Sequence, residues 1–186
     1  MVRVIPAAAV LLSLAAAAAG LSGCDDNSMF AEARIITDTV TIAVPGSPSG
    51  LHSALDLVRE APPFALLRRP ERTEDAQQWD LALRRVEGGL ALRPYSAPGS
   101  GLRGAGLAPA GTDFDRLERA PRGIPPYQYE QLAISEGASY VFRSRIYGGG
   151  CTKYAKGRIL ETDLEAGTAR MVIAINENCE DERLTD

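Results

Sequence analysis

Histidine is almost absent from this chain of 186 residues, which holds only His52. One imidazole excludes a His pair as axial ligands to haem iron and a His-rich metal cluster. Methionine is nearly as scarce: beyond the first residue there are only Met29 and Met171. Lysine occurs only at Lys153 and Lys156, so arginine supplies nearly all of the 20 basic side chains. No basic stripe stands out, and a formal net charge of −4 lacks the electrostatic footprint of a nucleic-acid binder. G-x-S-x-G, H-E-x-x-H and C-x-x-C do not occur, so the commonest signatures of a hydrolase, a zinc peptidase and a dithiol centre are missing. No catalytic residues are expected.

Long apolar runs are rare too, and the one present is at the start. Arg3 precedes an Ala- and Leu-rich run from Val4 to Leu21, and Leu21-Ser22-Gly23-Cys24 follows. A charged start, an apolar middle and small residues before a cut site form an export signal. The last four residues resemble the lipobox of a bacterial lipoprotein. That resemblance implies a signal peptide over residues 1–23, lipidation of Cys24, a tether over 24–31 and a single domain over 32–186. The lipid bilayer is then a partner through acylated Cys24, and the cell envelope is the expected location, facing the periplasm or the cell surface. The alternative is an uncleaved anchor, since about 18 apolar residues just span a bilayer.

Three cysteines are an awkward number in an oxidising compartment. With Cys24 assigned to lipid, Cys151 and Cys179 remain as a disulfide pair. Tyr154–Glu161 and Ala169–Asn176 read as strands around a turn-rich stretch from Thr162 to Thr168. A hairpin centred on Glu165 opposes residues whose numbers sum to 330, and Cys151 and Cys179 satisfy the same sum. The register also places Ala155, Gly157 and Ile159 opposite Ile175, Ile173 and Met171 on one apolar face.

Elsewhere the chain reads as short strands between turns. Arg34–Val44 is β-branched and predicts the first strand. Leu51–Glu60 fits a helix or a strand, and Phe64–Arg69 fits a strand. Gln77–Leu92 predicts a hairpin turning at Glu87-Gly88-Gly89, with Trp79, Leu81 and Leu83 on one face. Pro94–Gly111 reads as a Gly- and Pro-rich loop, without the strand, helix and G-K-[ST] of a phosphate cradle. Phe114–Ala120 suggests one helical turn capped by Thr112 or Asp113. Tyr127–Ile134, Ser139–Tyr147 and the Cys-flanked hairpin add four strands. The fold class expected is all-β, an antiparallel sandwich or flattened barrel with little helix.

Trp79–Arg85 (WDLALRR), Thr112–Pro121 (TDFDRLERAP), Gly137–Arg145 (GASYVFRSR) and Tyr154–Leu160 (YAKGRIL), taken in order, resemble the HmuY-like haem-binding lipoprotein family across Gln77–Ile175. The resemblance implies an all-β domain behind a lipid anchor, with haem as a cofactor held by paired His or Met donors. The donors here depart from that pattern: His52 precedes the matched region, Met29 falls in the tether and Met171 on the inward face of a strand. No cofactor is expected beyond what the resemblance suggests.

Two smaller candidates have plain explanations. Asp113 and Asp115 lack the further oxygens of a calcium loop, and they fit a turn that buries Phe114. Five of the six tyrosines fall in the last third of the chain, where β preference alone accounts for them. The loop Tyr147, Gly148, Gly149 and Gly150 before Cys151 is the candidate binding surface, because glycine lets a partner approach the backbone closely. It also fits a turn pinned by the disulfide. The function expected is an anchored binding module; the alternative is an envelope lipoprotein that docks another protein and holds no small ligand.

Overall fold

The β-branched run after Arg34 forms β1 (Ile35–Ala43), and it pairs antiparallel along its whole length with the last strand, β10 (Thr168–Asn176). Between them lie β2 (Ala54–Leu55), β3 (Leu67–Arg68), β4 (Leu81–Val86), β5 (Gly89–Pro94), β6 (Gly106–Pro109), β7 (Leu132–Ala133), β8 (Ser139–Arg143) and β9 (Tyr154–Asp163). The computed structural model describes residues 32–59, 66–96, 104–121 and 127–185, and Glu32–Asp186 forms one compact unit. The apolar leader, Cys24, Met29 and the tether lie outside the described residues, as do Phe64 and part of the Gly-rich stretch.

The strands make two antiparallel five-stranded sheets, ordered β1-β10-β9-β8-β6 and β3-β2-β4-β5-β7. Two separate sheets make the chain a sandwich. Alternation decides which side chains fill it. Val40, Ile42, Ala169, Met171, Ile173 and Ile175 from the first sheet meet Leu55, Leu81, Leu83, Leu90 and Leu92 from the second in one buried cluster. Among the described residues helix is confined to short 3-10 turns such as Thr73–Asp75 and Phe114–Arg116.

In the β9–β10 hairpin, Ala155, Gly157 and Ile159 stand opposite Ile175, Ile173 and Met171, the register expected. A bulge between Arg170 and Met171 shifts the pairs nearer the turn by one residue, so that Thr168 faces Asp163. Gly157 is needed where it stands, because a Cβ there would lie 2.6 Å from Cε2 of Phe142. The β4–β5 hairpin turns through Glu87 and Gly88, with Gly88 at φ 74° and Gly89 already paired with Val86.

Several expectations are corrected. Trp79 is buried, but it packs with Ala54, Ala82 and Tyr95 on the opposite side of the sheet from Leu81 and Leu83. Regular strand geometry begins only at Leu81, so alternation does not extend back to Trp79. The Pro94–Gly111 loop contains a strand, β6, at the edge of the first sheet, where Pro109 sits at the strand's end. Gly106 in that strand lets Tyr127 and Tyr129 pack close, since a Cβ would meet Tyr127 Cβ at 3.0 Å. Tyr127–Ile134 is a strand only at Leu132–Ala133, and the described part of Leu51–Glu60, residues 51–59, holds only the two-residue β2.

Candidate functional site

The loop after β8 is a closed turn. Tyr147 N–H donates to the Cys151 carbonyl at 3.0 Å, and Cys151 N–H returns a bond to the Tyr147 carbonyl at 2.9 Å. Three glycines make this possible: Gly148 and Gly150 take φ of 32° and 105°, the region other residues avoid. A disulfide joins Cys151 to Cys179 with their Cα atoms 5.3 Å apart, which ties the turn to the end of β10. The Tyr147 hydroxyl lies 3.1 Å from Sγ of Cys151. The turn is pinned by the disulfide, as one of the two sequence readings of this loop expects. Its outer side is open, since a Cβ at Gly149 or Gly150 would meet nothing within 4 Å, and a cleft of about 620 Å3 runs along Ile146–Gly150.

Behind the loop lies a group of charges that the sequence reading missed. Asp80, fully buried, accepts Arg145 N–H at 2.7 Å and Arg145 Nη1 at 3.0 Å on Oδ1, and Leu57 N–H at 2.7 Å on Oδ2. Asp56 accepts Nε and Nη2 of Arg68 at 3.1 and 2.9 Å on Oδ2, while its Oδ1 takes Arg145 Nη1 at 3.1 Å. Two carboxylates and two guanidiniums therefore meet in one largely buried group, and Arg68 Nη1 also reaches a third carboxylate, Asp75, at 3.7 Å. It joins β2, β3 and the start of β4 in one sheet to the segment that leaves β8 in the other. Burial pushes the Asp80 carboxyl from its ordinary 3.8 up to about 6, against the pull of Arg145 and of two backbone N–H donors. The two carboxylates hold the Arg145 guanidinium above its ordinary range despite burial.

The same segment connects this group to the loop. Ser144 N–H donates to the Lys153 carbonyl and Ser144 Oγ accepts Lys153 N–H, both at 2.9 Å. Lys153 Nζ donates to the Val58 carbonyl at 2.9 Å and lies 5.9 Å from the centre of the Tyr147 ring. The turn thus rests on a rigid polar base. A sequence signal for that base existed in Asp56, a carboxylate set between two leucines that are both fully buried. A charge in that position has to be paired.

The remaining candidates are scattered. His52 is half-buried, with burial and Arg69 lowering its pKa. Met171 is fully buried between the sheets, with Val40 and Ile159 as its cross-strand neighbours. Asp113 and Asp115 are exposed around the buried Phe114, whose ring carries Lys156 Nζ at 4.8 Å and Arg158 Cζ at 5.6 Å from its centre. Among the described residues no group of three or more His, Cys, Asp or Glu side chains is placed to hold a metal ion. The tyrosines do not share one surface: Tyr127 and Tyr154 pack under the C-terminal segment with Leu184, while Tyr140 stacks on Phe142 in the main core. Tyr147 alone of these lines the cleft at the Gly turn.

No family model, curated protein or solved structure matches this chain. The geometry of the site therefore carries the functional argument.

Proposed function

We propose that the chain is a lipid-anchored envelope protein whose β-sandwich is a binding module, with the Tyr147–Gly150 turn forming a wall of its ligand cleft. The observation that carries this reading is the cleft of about 620 Å3 beside a turn closed by paired hydrogen bonds and a disulfide. The volume is in the range of small-ligand sites. A wall already fixed in place has little ordering entropy left to lose on binding. Docking of another envelope protein has less support, because only two large apolar side chains among the described residues are exposed, Leu51 and Leu164.

Anchoring is supported by the Arg3 start, the apolar run and Leu21-Ser22-Gly23-Cys24. The HmuY-like resemblance supports the scaffold, while the positions of His52 and Met171 argue against its haem chemistry. Stable low-spin haem needs two strong axial donors, and Met171 is committed to the core. The ligand we infer is therefore one held by the loop and its polar base, with no metal bond required.

Two measurements test this. Labelled palmitate should enter the wild-type chain in cells and not Cys24→Ser; label in the variant refutes the anchor. Native mass spectrometry of protein released gently from envelopes should show a small-molecule adduct that Tyr147→Ala loses. Identical adduct patterns in both proteins, or none in either, refute the binding module.

A further inference from the structure

The outer face of the β3-β2-β4-β5-β7 sheet carries two neighbouring arginines that no carboxylate among the described residues pairs with. Leu81, Leu83, Leu90 and Leu92 point into the sandwich, so by alternation Ala82, Arg84, Ala91 and Arg93 point out. Arg84 stands opposite Ala91, and Arg93 opposite Ala82. The two arginines are therefore diagonal neighbours, about 7 Å apart in such a ladder. Ala82 and Ala91 put no bulky side chain between them. Arg68, on the same face opposite Ala54, shows the usual arrangement for a guanidinium, with Asp56 at 2.9 Å and Asp75 at 3.7 Å.

Arg84 and Arg93 make no hydrogen bond or ion pair with any of the described residues. Arg84 is half-buried, and its Nε is a buried donor that reaches no acceptor. Such a donor is costly to leave unmade, and an incoming acceptor removes the cost. Burial and then the charge of Arg93 lower the Arg84 pKa, while the field of Glu71 raises it. Glu71 is engaged elsewhere, since its Oε2 accepts the Ser53 hydroxyl at 2.7 Å. The face thus holds two like charges and one unused buried donor, in a chain of net charge −4.

We infer that Arg84 and Arg93 form a binding site for a phosphoryl group, presented by a free phosphate ester or by a lipid headgroup. A dianionic oxyanion balances both charges, whereas a carboxylate balances one. The planar forks of two guanidiniums match its oxygens. Arg84 Nε supplies one donor, and the exposed Arg93 supplies others from the adjacent strand. The site belongs to the sheet that does not carry the Tyr147–Gly150 turn, and it stands whether or not that turn lines a ligand cleft.

The test is calorimetric titration of the full chain in nanodiscs of zwitterionic lipid, with empty discs as the blank and inorganic phosphate and acetate as probes at constant ionic strength. Phosphate should bind saturably, one per chain, and acetate at least about tenfold more weakly. Arg93→Gln should weaken phosphate about tenfold. Arg116→Gln removes the same charge from another exposed position and should leave the titration unchanged, as should Tyr147→Ala. In phosphate-free buffer Arg93→Gln should melt no lower than wild type, because it relieves a like-charge pair and breaks no bond. Weaker titration in discs containing phosphatidate than in phosphatidylserine discs of equal charge assigns the group to a lipid headgroup; equal titration assigns it to a free phosphate ester. Either result supports the site. Absence of saturable binding, equal affinity for acetate, or wild-type affinity in Arg93→Gln overturns the proposal. Loss of binding in Arg116→Gln or Tyr147→Ala overturns it too, by moving phosphate elsewhere, and so does a fall of more than about 2 °C in the Tm of Arg93→Gln, which would make that arginine structural.

Discussion

Replacing Arg145 by Met should destabilise the protein strongly, and by an amount that depends on pH. Arg145 Nη1 touches Asp56 at 3.1 Å and Asp80 at 3.0 Å, so one guanidinium neutralises two buried carboxylates with help from Arg68. Removing it leaves an uncompensated negative charge inside, which costs about 3 to 5 kcal/mol in comparable sites. The wild-type site already disfavours ionised Asp80: displacement of its pKa from 3.8 to about 6 corresponds to roughly 3 kcal/mol. An acid whose folded pKa is raised binds more protons folded than unfolded, so its contribution to stability falls as pH rises between those two values. Without Arg145 the folded pKa rises further, and the fall extends through neutral pH. Urea melts at about pH 5 and about pH 8 should therefore show a small loss for Arg145→Met at the lower pH and the full loss at the higher. Adding Asp80→Asn to Arg145→Met should recover part of the loss at the higher pH, since an amide carries no charge to strand. A cost below about 1 kcal/mol at pH 8, or one equal at both pH values, would refute the reasoning.

Other outcomes follow from the same structure. Cys151→Ser with Cys179→Ser opens a loop of 28 residues' separation and should cost about 3.5 kcal/mol, or about 10 °C in Tm, read by calorimetry. A change under 2 °C would mean that the bridge constrains little. Gly157→Ala places a Cβ 2.6 Å from Phe142 Cε2, and that ring stacks on Tyr140 at an interplanar angle of 6°, so overpacking should cost about 1 to 3 kcal/mol in urea melts. No loss would show that Phe142 can move aside. Haemin titration should give no sharp low-spin Soret and visible bands at stoichiometric protein. Tight binding with such bands, lost on changing His52 or Met171, would restore a haem carrier.

What was legible in the sequence followed the period of two. The β9–β10 register and the core role of Met171 derive from alternation on long strands, and the pairing of Cys151 with Cys179 from assigning Cys24 to lipid and from the same hairpin register. Two-residue strands such as β2, β3 and β7 show no alternation, and here it is tertiary packing that selects strand over turn. β6 was hidden by its glycine and proline, which mark an edge as readily as a loop. The charged base of the site was less visible still. Asp56, Arg68, Asp80 and Arg145 are far apart in sequence, and only the folded topology brings them together. The Gly turn itself was found, because three successive glycines before a cysteine are hard to explain otherwise.

The pairing of the first strand with the last also sets an order of events in biosynthesis. Ile35 finds its partner at Asn176, so β1 leaves the ribosome long before the segment that hydrogen-bonds to it exists. A contact this distant in sequence is slow to form. In the interval a β-branched strand is exposed with every backbone donor unpaired, a template for association with other chains. Arg34 and Asp38 break its apolar character at the time of greatest exposure. A chain cut short before Thr168 would never close that gap, leaving both β1 and β9 without the strand that lies between them.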